Sequence, residues 1–187
     1  MVLKESDSEL SRGDVAPEFE LTGTDGERYT LDSFADNDAL LLVFTCNHCP
    51  YAQAKFEFLN DLAAEFDDAA VVGINPNANP EYPDDDFESM VDLVDDGTID
   101  YDAYLYDETQ EVAREYGAVC TPDPFLFARE GDEWQLAYHG RLDDALSPDA
   151  EATEFYAREA IESILAGEAV EHDDLPSRGC SIKWVDE

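Results

Sequence analysis

The chain has 187 residues, 44% of them apolar, enough for a single domain over residues 1–187 with a full core. Its 47 acidic residues outnumber 10 basic ones, giving a formal net charge of -37, which excludes nucleic acid and anionic membrane surfaces as partners. The carboxylates are spread along the sequence among periodic apolar residues, and the only lysines are Lys4, Lys55 and Lys183. This pattern predicts a wholly acidic surface suited to concentrated salt, where a Debye length of roughly 3 Å at 1 M screens self-repulsion, and so a salt-loving source. Residues 1–14 lack the basic and apolar regions of a signal peptide, and no apolar run approaches the roughly 20 residues of a membrane helix. A cytoplasmic location is expected, where four cysteines read as chemical more than structural.

In chain order, Asp14 to Leu21 and Arg28 to Leu31 predict a hairpin turning through Gly23-Thr24-Asp25-Gly26. A buried strand follows over Ala39 to Phe44. The stretch from Tyr51 to Phe66 carries Leu59, Leu62, Ala63 and Phe66 at helical spacing, and Ala70 to Ile74 is a second apolar strand, so this region reads as βαβ. Phe87, Met90, Val91 and Val94 give another helix. Asp107 has the chemistry of an N-cap for a helix reaching Tyr116 and stopped by Gly117. Phe125 to Ala128 and Trp134 to Tyr138 predict a hairpin around Glu130-Gly131-Asp132. Pro148 is expected to start a last helix, with Ala157, Ile161, Ile164 and Leu165 inward and Gly167 at its end. The segment 168–187 has no long period.

Cys46-Asn47-His48-Cys49 lies at the junction of the first buried strand and its helix. Two sulfurs at CxxC spacing on a first helical turn can form a disulfide with little backbone movement, and the free amides there stabilise a thiolate. Half a zinc site has the same spacing. No second CxxC pair completes one, so no metal and no cofactor is expected.

The order strand, CxxC helix, strand, helix, X-Pro, hairpin, helix resembles the thioredoxin superfamily. Gly13-Asp14-Val15-Ala16-Pro17-Glu18-Phe19-Glu20-Leu21 is similar to the entry segment of its peroxiredoxin-like (AhpC/TSA and TlpA-like) group. Segments similar to Phe44-Thr45-Cys46-Asn47-His48-Cys49-Pro50, Tyr106-Asp107-Glu108-Thr109-Gln110, Gly140-Arg141-Leu142-Asp143-Asp144 and Gly179-Cys180-Ser181-Ile182-Lys183-Trp184 belong to members with a thioredoxin-type CxxC. The resemblance implies an α/β thioredoxin-like fold: an N-terminal β-hairpin extension, a central mixed sheet flanked by helices, a core of about 13–167 and a C-terminal extension over 168–187.

It further implies a thiol-disulfide oxidoreductase in which Cys46 is the more exposed, attacking thiol and Cys49 the buried resolving partner. Helix-end charge effects of about 0.3 to 1 kcal/mol, up to about 2 when partly buried, favour the Cys46 thiolate. His48, inside the motif, either stabilises that thiolate or is a solvent-exposed turn residue. By the same resemblance Thr121-Pro122 is a cis peptide, leaving the Thr121 backbone free to pair with a substrate chain. Pro124, just after, removes a backbone donor at a strand start. Leu40 stands where thioredoxins carry a buried aspartate. For a peroxidase, with Cys49 aligned as the peroxidatic cysteine, Thr45 is one residue off the family's spacing and no arginine occurs between Gly117 and Ala128.

Cys120 reads either as a thiol able to exchange with the CxxC or as a small buried residue. Cys180 reads as a third redox centre or a packing thiol, held by Ile182 and Trp184. His139 and His172 have no assigned role. The partners implied are protein or small-molecule thiols and disulfides, with hydroperoxides as the alternative substrate and a non-enzymatic redox sensor as the third reading.

Overall fold

A computed structural model describes residues 2–186. Its strands are β1 (Leu3–Glu5), β2 (Glu20–Gly23), β3 (Arg28–Thr30), β4 (Ala39–Phe44), β5 (Ala69–Asn75), β6 (Ala103–Tyr106), β7 (Cys120–Thr121), β8 (Asp123–Glu130), β9 (Glu133–His139) and β10 (Arg178–Ser181). The α-helices are α1 (Pro50–Gln53), α2 (Phe56–Glu65), α3 (Phe87–Asp95), α4 (Glu111–Tyr116) and α5 (Tyr156–Leu165). Seven strands form a mixed sheet in the order β3-β2-β6-β5-β4-β8-β9, and a second sheet has the order β1-β10-β7. This is the thioredoxin-like mixed α/β architecture expected.

The sheet is built on β4 and β5, whose residues are all buried, as their unbroken apolar runs require of parallel strands covered on both faces. Leu40, Leu42 and Phe44 face one cluster with Phe125, Phe127 and Tyr116. Leu41 and Val43 face the other, with Leu59 and Leu62 of α2 and Ala157, Ala160 and Ile161 of α5. Leu40 therefore serves the core at the position where an aspartate was looked for.

Several boundaries differ from the sequence expectation for local reasons. The 51–66 helix is broken at Lys55, whose N–H bonds back to Ala52 three residues away and whose ammonium is held by Asp143 at 2.6 Å. Asp14 to Ala16 pairs with β9 instead of extending β2, through Leu136 N–H to Asp14 and Ala16 N–H to Trp134. Pro148 starts no helix. The exposed carboxylate of Asp144 accepts from the Thr153 N–H, the Thr153 hydroxyl and the Glu154 N–H, closing a loop that delays α5 until Tyr156. Asp107 accepts from the amides of Ala113 (2.8 Å) and Val112 (3.4 Å), so it caps α4 from outside, while Gln110 occupies the N-cap position with φ 66°. Pro124 pairs with Val43, and the β8–β9 ladder begins one residue later, at Phe125, so its missing N–H breaks no rung there.

Candidate active site

The sequence between β4 and α1 makes the site. Cys46, Asn47 and His48 form an irregular turn, and Cys49 is the N-cap of α1 with Pro50 at its first position, where the absent N–H costs nothing. Facing them is the Thr121–Pro122 bond, which is cis as expected. Cys46 Sγ lies 3.4 Å from the Thr121 hydroxyl, and Cys49 Sγ lies 3.6 Å from the Thr121 carbonyl. The CxxC and the cis-proline thus meet across a single residue.

One expectation about these cysteines is corrected. Cys46 was expected to be the more exposed thiol, but Cys46 and Cys49 are both fully buried. Cys49 is joined in a disulfide to Cys180, with the two Cα atoms 6.4 Å apart, leaving Cys46 as a free thiol. The cause is β10, which runs antiparallel to β7 with Cys180 opposite Thr121 and Ser181 opposite Cys120. The Thr121 edge, expected to be free for a substrate chain, is occupied by the protein's own C-terminal segment, whose Ile182 and Trp184 are the buried anchors the sequence suggested.

Cys46 is also not a favoured thiolate in this state. Burial, then the nearby Asp85 carboxylate, push its thiol up to about 12. The Thr121 hydroxyl and the amides of Cys49 and His48 act in the opposite direction. The helix-start amides do face Cys46, but desolvation outweighs them.

Asp85 was missed by sequence reasoning. It is fully buried, and its Oδ1 accepts from the amides of Asn47 (2.7 Å) and His48 (3.0 Å). Its Oδ2 accepts from Asn77 Nδ2 at 2.9 Å and pairs with His48 Nδ1. His48 is thus no free turn residue: its ring is tied to Asp85 and stacks on Tyr82 with centroids 5.8 Å apart. Asn47 is fixed by the Tyr104 hydroxyl, which donates to Oδ1 at 2.7 Å. Asp85 sits in the run Asp84-Asp85-Asp86, and nothing in the sequence distinguishes the buried member from its neighbours.

Donor atoms of Cys46, His48 and Asp85 lie within 4.8 Å of one another. Both Asp85 oxygens already accept N–H donors, so the carboxylate acts as a hydrogen-bond hub and is a poor metal ligand. Cys120 is buried in β7 with its thiol directed at the Pro122 carbonyl, 3.7 Å away, and burial followed by Asp123 pushes it well up. Adjacent strand residues point to opposite faces, so Thr121 turns to Cys46 and Cys120 turns away. His139, unassigned before, bonds through Nε2 to the fully buried Asp123 at 2.7 Å and stacks on Phe125. His172 pairs near the surface with Glu159. Among the described residues no helix is long and apolar enough to cross a membrane.

The fold is shared with solved structures. A conserved protein of Geobacillus kaustophilus superposes with a TM-score of 0.89 at 36% identity, over 98% of this chain and 97% of that one. A protein of Sinorhizobium meliloti 1021 gives 0.88 at 37% identity, over 96% and 97%. A Chlorobium tepidum structure named for thiol:disulfide interchange, DsbE, gives 0.57 at 21% identity over 84% and 97%, a likeness of fold. Comparison with curated proteins finds no match. The AhpC/TSA family model matches residues 12–132, which span the entry segment, the CxxC turn, the cis-proline and the β8–β9 turn. With that match, and with a disulfide formed at the CxxC turn, the chain belongs to the AhpC/TSA family and is built for thiol redox chemistry.

Proposed function

We propose that the protein is a thiol-disulfide oxidoreductase in which Cys49 is a shared sulfur, bonding in turn to Cys46 and to Cys180. The observation that carries this reading is the Cys49–Cys180 disulfide with free Cys46 beside it, both CxxC sulfurs converging on Thr121. In the reduced protein the Cys46 thiolate attacks one sulfur of a substrate disulfide, forms a mixed disulfide and expels one thiolate, which takes up a proton. Cys49 then attacks the Cys46 sulfur and releases the second substrate thiol, leaving Cys46–Cys49. The Cys180 thiolate attacks the Cys49 sulfur, Cys46 departs as the thiolate and is protonated, and the Cys49–Cys180 state results. An external dithiol returns two electrons and two protons.

Asp85 and His48 hold the turn that carries Cys46, and the Thr121 hydroxyl and helix amides supply donors to its thiolate when it forms. The acidic surface fits work in a salty aqueous compartment, and the cytoplasm is the location proposed. The test is single-turnover reduction of cystamine by reduced, desalted protein. Wild type should release two cysteamines per protein and Cys49→Ser one. Cys46→Ser should fall at least 100-fold in rate, and Cys180→Ser should still release two. Two thiols released at the wild-type rate by Cys46→Ser would remove Cys46 from the attacking role.

A further inference from the structure

We infer, resting on that reading, that the C-terminal strand is a built-in specificity element: by filling the Thr121 edge it restricts the site to low-molecular-weight disulfides and excludes polypeptide ones. An extended chain bringing a disulfide to Cys46 by pairing with the Thr121 edge would lie along β7, and that place is taken by residues 178–181. The occupant is fixed on every side. Its outer edge is paired with β1, through Leu3 opposite Cys180 and Glu5 opposite Arg178. Just before it, the Ser177 hydroxyl donates to the Pro122 carbonyl at 2.8 Å, and Ser177 exchanges bonds with Ser6 in both directions. Just after it, the Lys183 amide donates to Asn77 at 3.0 Å, Gln110 donates to the Lys183 carbonyl at 2.9 Å, and the Arg114 guanidinium lies 4.2 Å over the Trp184 ring. A segment anchored at both ends, with Ile182 and Trp184 in the core, opens only with a large part of the fold.

Gly179 makes the close approach possible. A Cβ at that position would collide with the Thr121 carbonyl and reach 3.0 Å from the Pro122 nitrogen. The missing side chain, beside Cys180, lets the strand settle against the cis-proline.

On the side of the CxxC turn away from β10, the proposed entry is an open pocket of about 330 Å³, lined by Asn47, His48, Gln53, Asp84 and Asp92 among others. Asn47 and His48, the two residues that follow the fully buried Cys46, line it, and the His48 side chain is 28% exposed. Entry from this side requires the turn held by Asp85 and Tyr104 to shift, and it leaves β10 seated. Two carboxylates and no lysine or arginine line the pocket, so the fitting substrate is a small disulfide with cationic or uncharged ends.

The experiment compares single-turnover oxidation of the reduced protein by cystamine, a small dication, and by disulfide-scrambled ribonuclease A, a basic polypeptide, so that charge favours both probes. Wild type should react with cystamine at least 100-fold faster per disulfide, and Gly179→Val should narrow that ratio at least tenfold by unseating the strand. Wild-type oxidation by the scrambled polypeptide within tenfold of the cystamine rate overturns the inference and leaves the oxidoreductase reading standing. Failure of the folded wild type to react with either probe overturns the oxidoreductase reading itself.

Discussion

Cys180 sits opposite Thr121 in an antiparallel pair while its sulfur is bonded to Cys49, whose own sulfur lies 3.6 Å from the Thr121 carbonyl. Strand pairing thus delivers the third thiol to the CxxC, and removing it should redirect the bond. In Cys180→Ser, mild oxidation should yield a Cys46–Cys49 disulfide, read by mass mapping of unreduced peptides. Persistent free thiols at both positions would mean that the CxxC pair does not close.

The buried Cys46 thiol gives a reactivity prediction. In the Cys49–Cys180 state iodoacetamide should label it slowly at pH 7, with a rate rising about tenfold per pH unit through pH 9, because the thiolate fraction grows in that proportion well below a midpoint near 12. Asp85→Asn removes a charge that holds the thiol up, so labelling should accelerate. The same substitution takes an acceptor from a buried network and should destabilise the protein by about 2 to 4 kcal/mol, since bonds to charged groups contribute roughly 1.5 to 3 kcal/mol each. A destabilised variant whose labelling rate per folded molecule stays at the wild-type value would discard Asp85 as a control on Cys46.

Hydrogen peroxide should react slowly with the reduced protein, within about tenfold of a small thiol after correction for thiolate fraction. Fixed donors that polarise the O–O bond are what a peroxidase adds. Here, among the described residues, the arginines are engaged elsewhere: Arg12 with Asp174, Arg28 with Glu20, Arg114 with Asp186, Arg129 with the Gly131 carbonyl, Arg141 with the Pro176 carbonyl, Arg158 with Glu65 and Arg178 with Glu5. Stopped-flow kinetics decide it, and a rate several orders of magnitude above the small thiol, lost in Cys49→Ser and kept in Cys46→Ser, would make the protein a peroxidase.

What the sequence made legible follows from how locally each feature is encoded. The strand Ala39–Phe44 was read to the residue because six consecutive apolar side chains admit one reading next to a CxxC turn. Gly117 was read as a helix stop because the chain turns there at φ 72°, which glycine adopts freely. The cis bond at Pro122 came from family likeness alone. Strand β6 was not anticipated: Ala103–Tyr106 is short, and its place between β2 and β5 is a tertiary fact. Asp85, the Asp123–His139 pair and the Cys49–Cys180 bond were illegible for the same reason, since each joins residues 16 to 131 positions apart or buries one member of a charged run.

A net charge of -37 predicts stabilisation by salt. Raising KCl from 0.1 M to 1 M shortens the Debye length from roughly 10 to 3 Å and relieves carboxylate repulsion, which the unfolded chain feels less. The melting temperature should rise steadily over that range. A melting temperature that falls or stays level would show that the acidic surface is not tuned to salt.

Migration of the disulfide is the core of the account, and a rapid-quench time course observes it. Reduced protein mixed with cystamine, trapped by acid and alkylation and mapped by mass spectrometry, should show the Cys46–Cys49 peptide pair rising first. It should then decay as Cys49–Cys180 accumulates. Direct appearance of Cys49–Cys180 with no Cys46–Cys49 precursor, at a rate unchanged in Cys46→Ser, would contradict the shared-sulfur sequence and leave Cys49 reacting with substrate on its own.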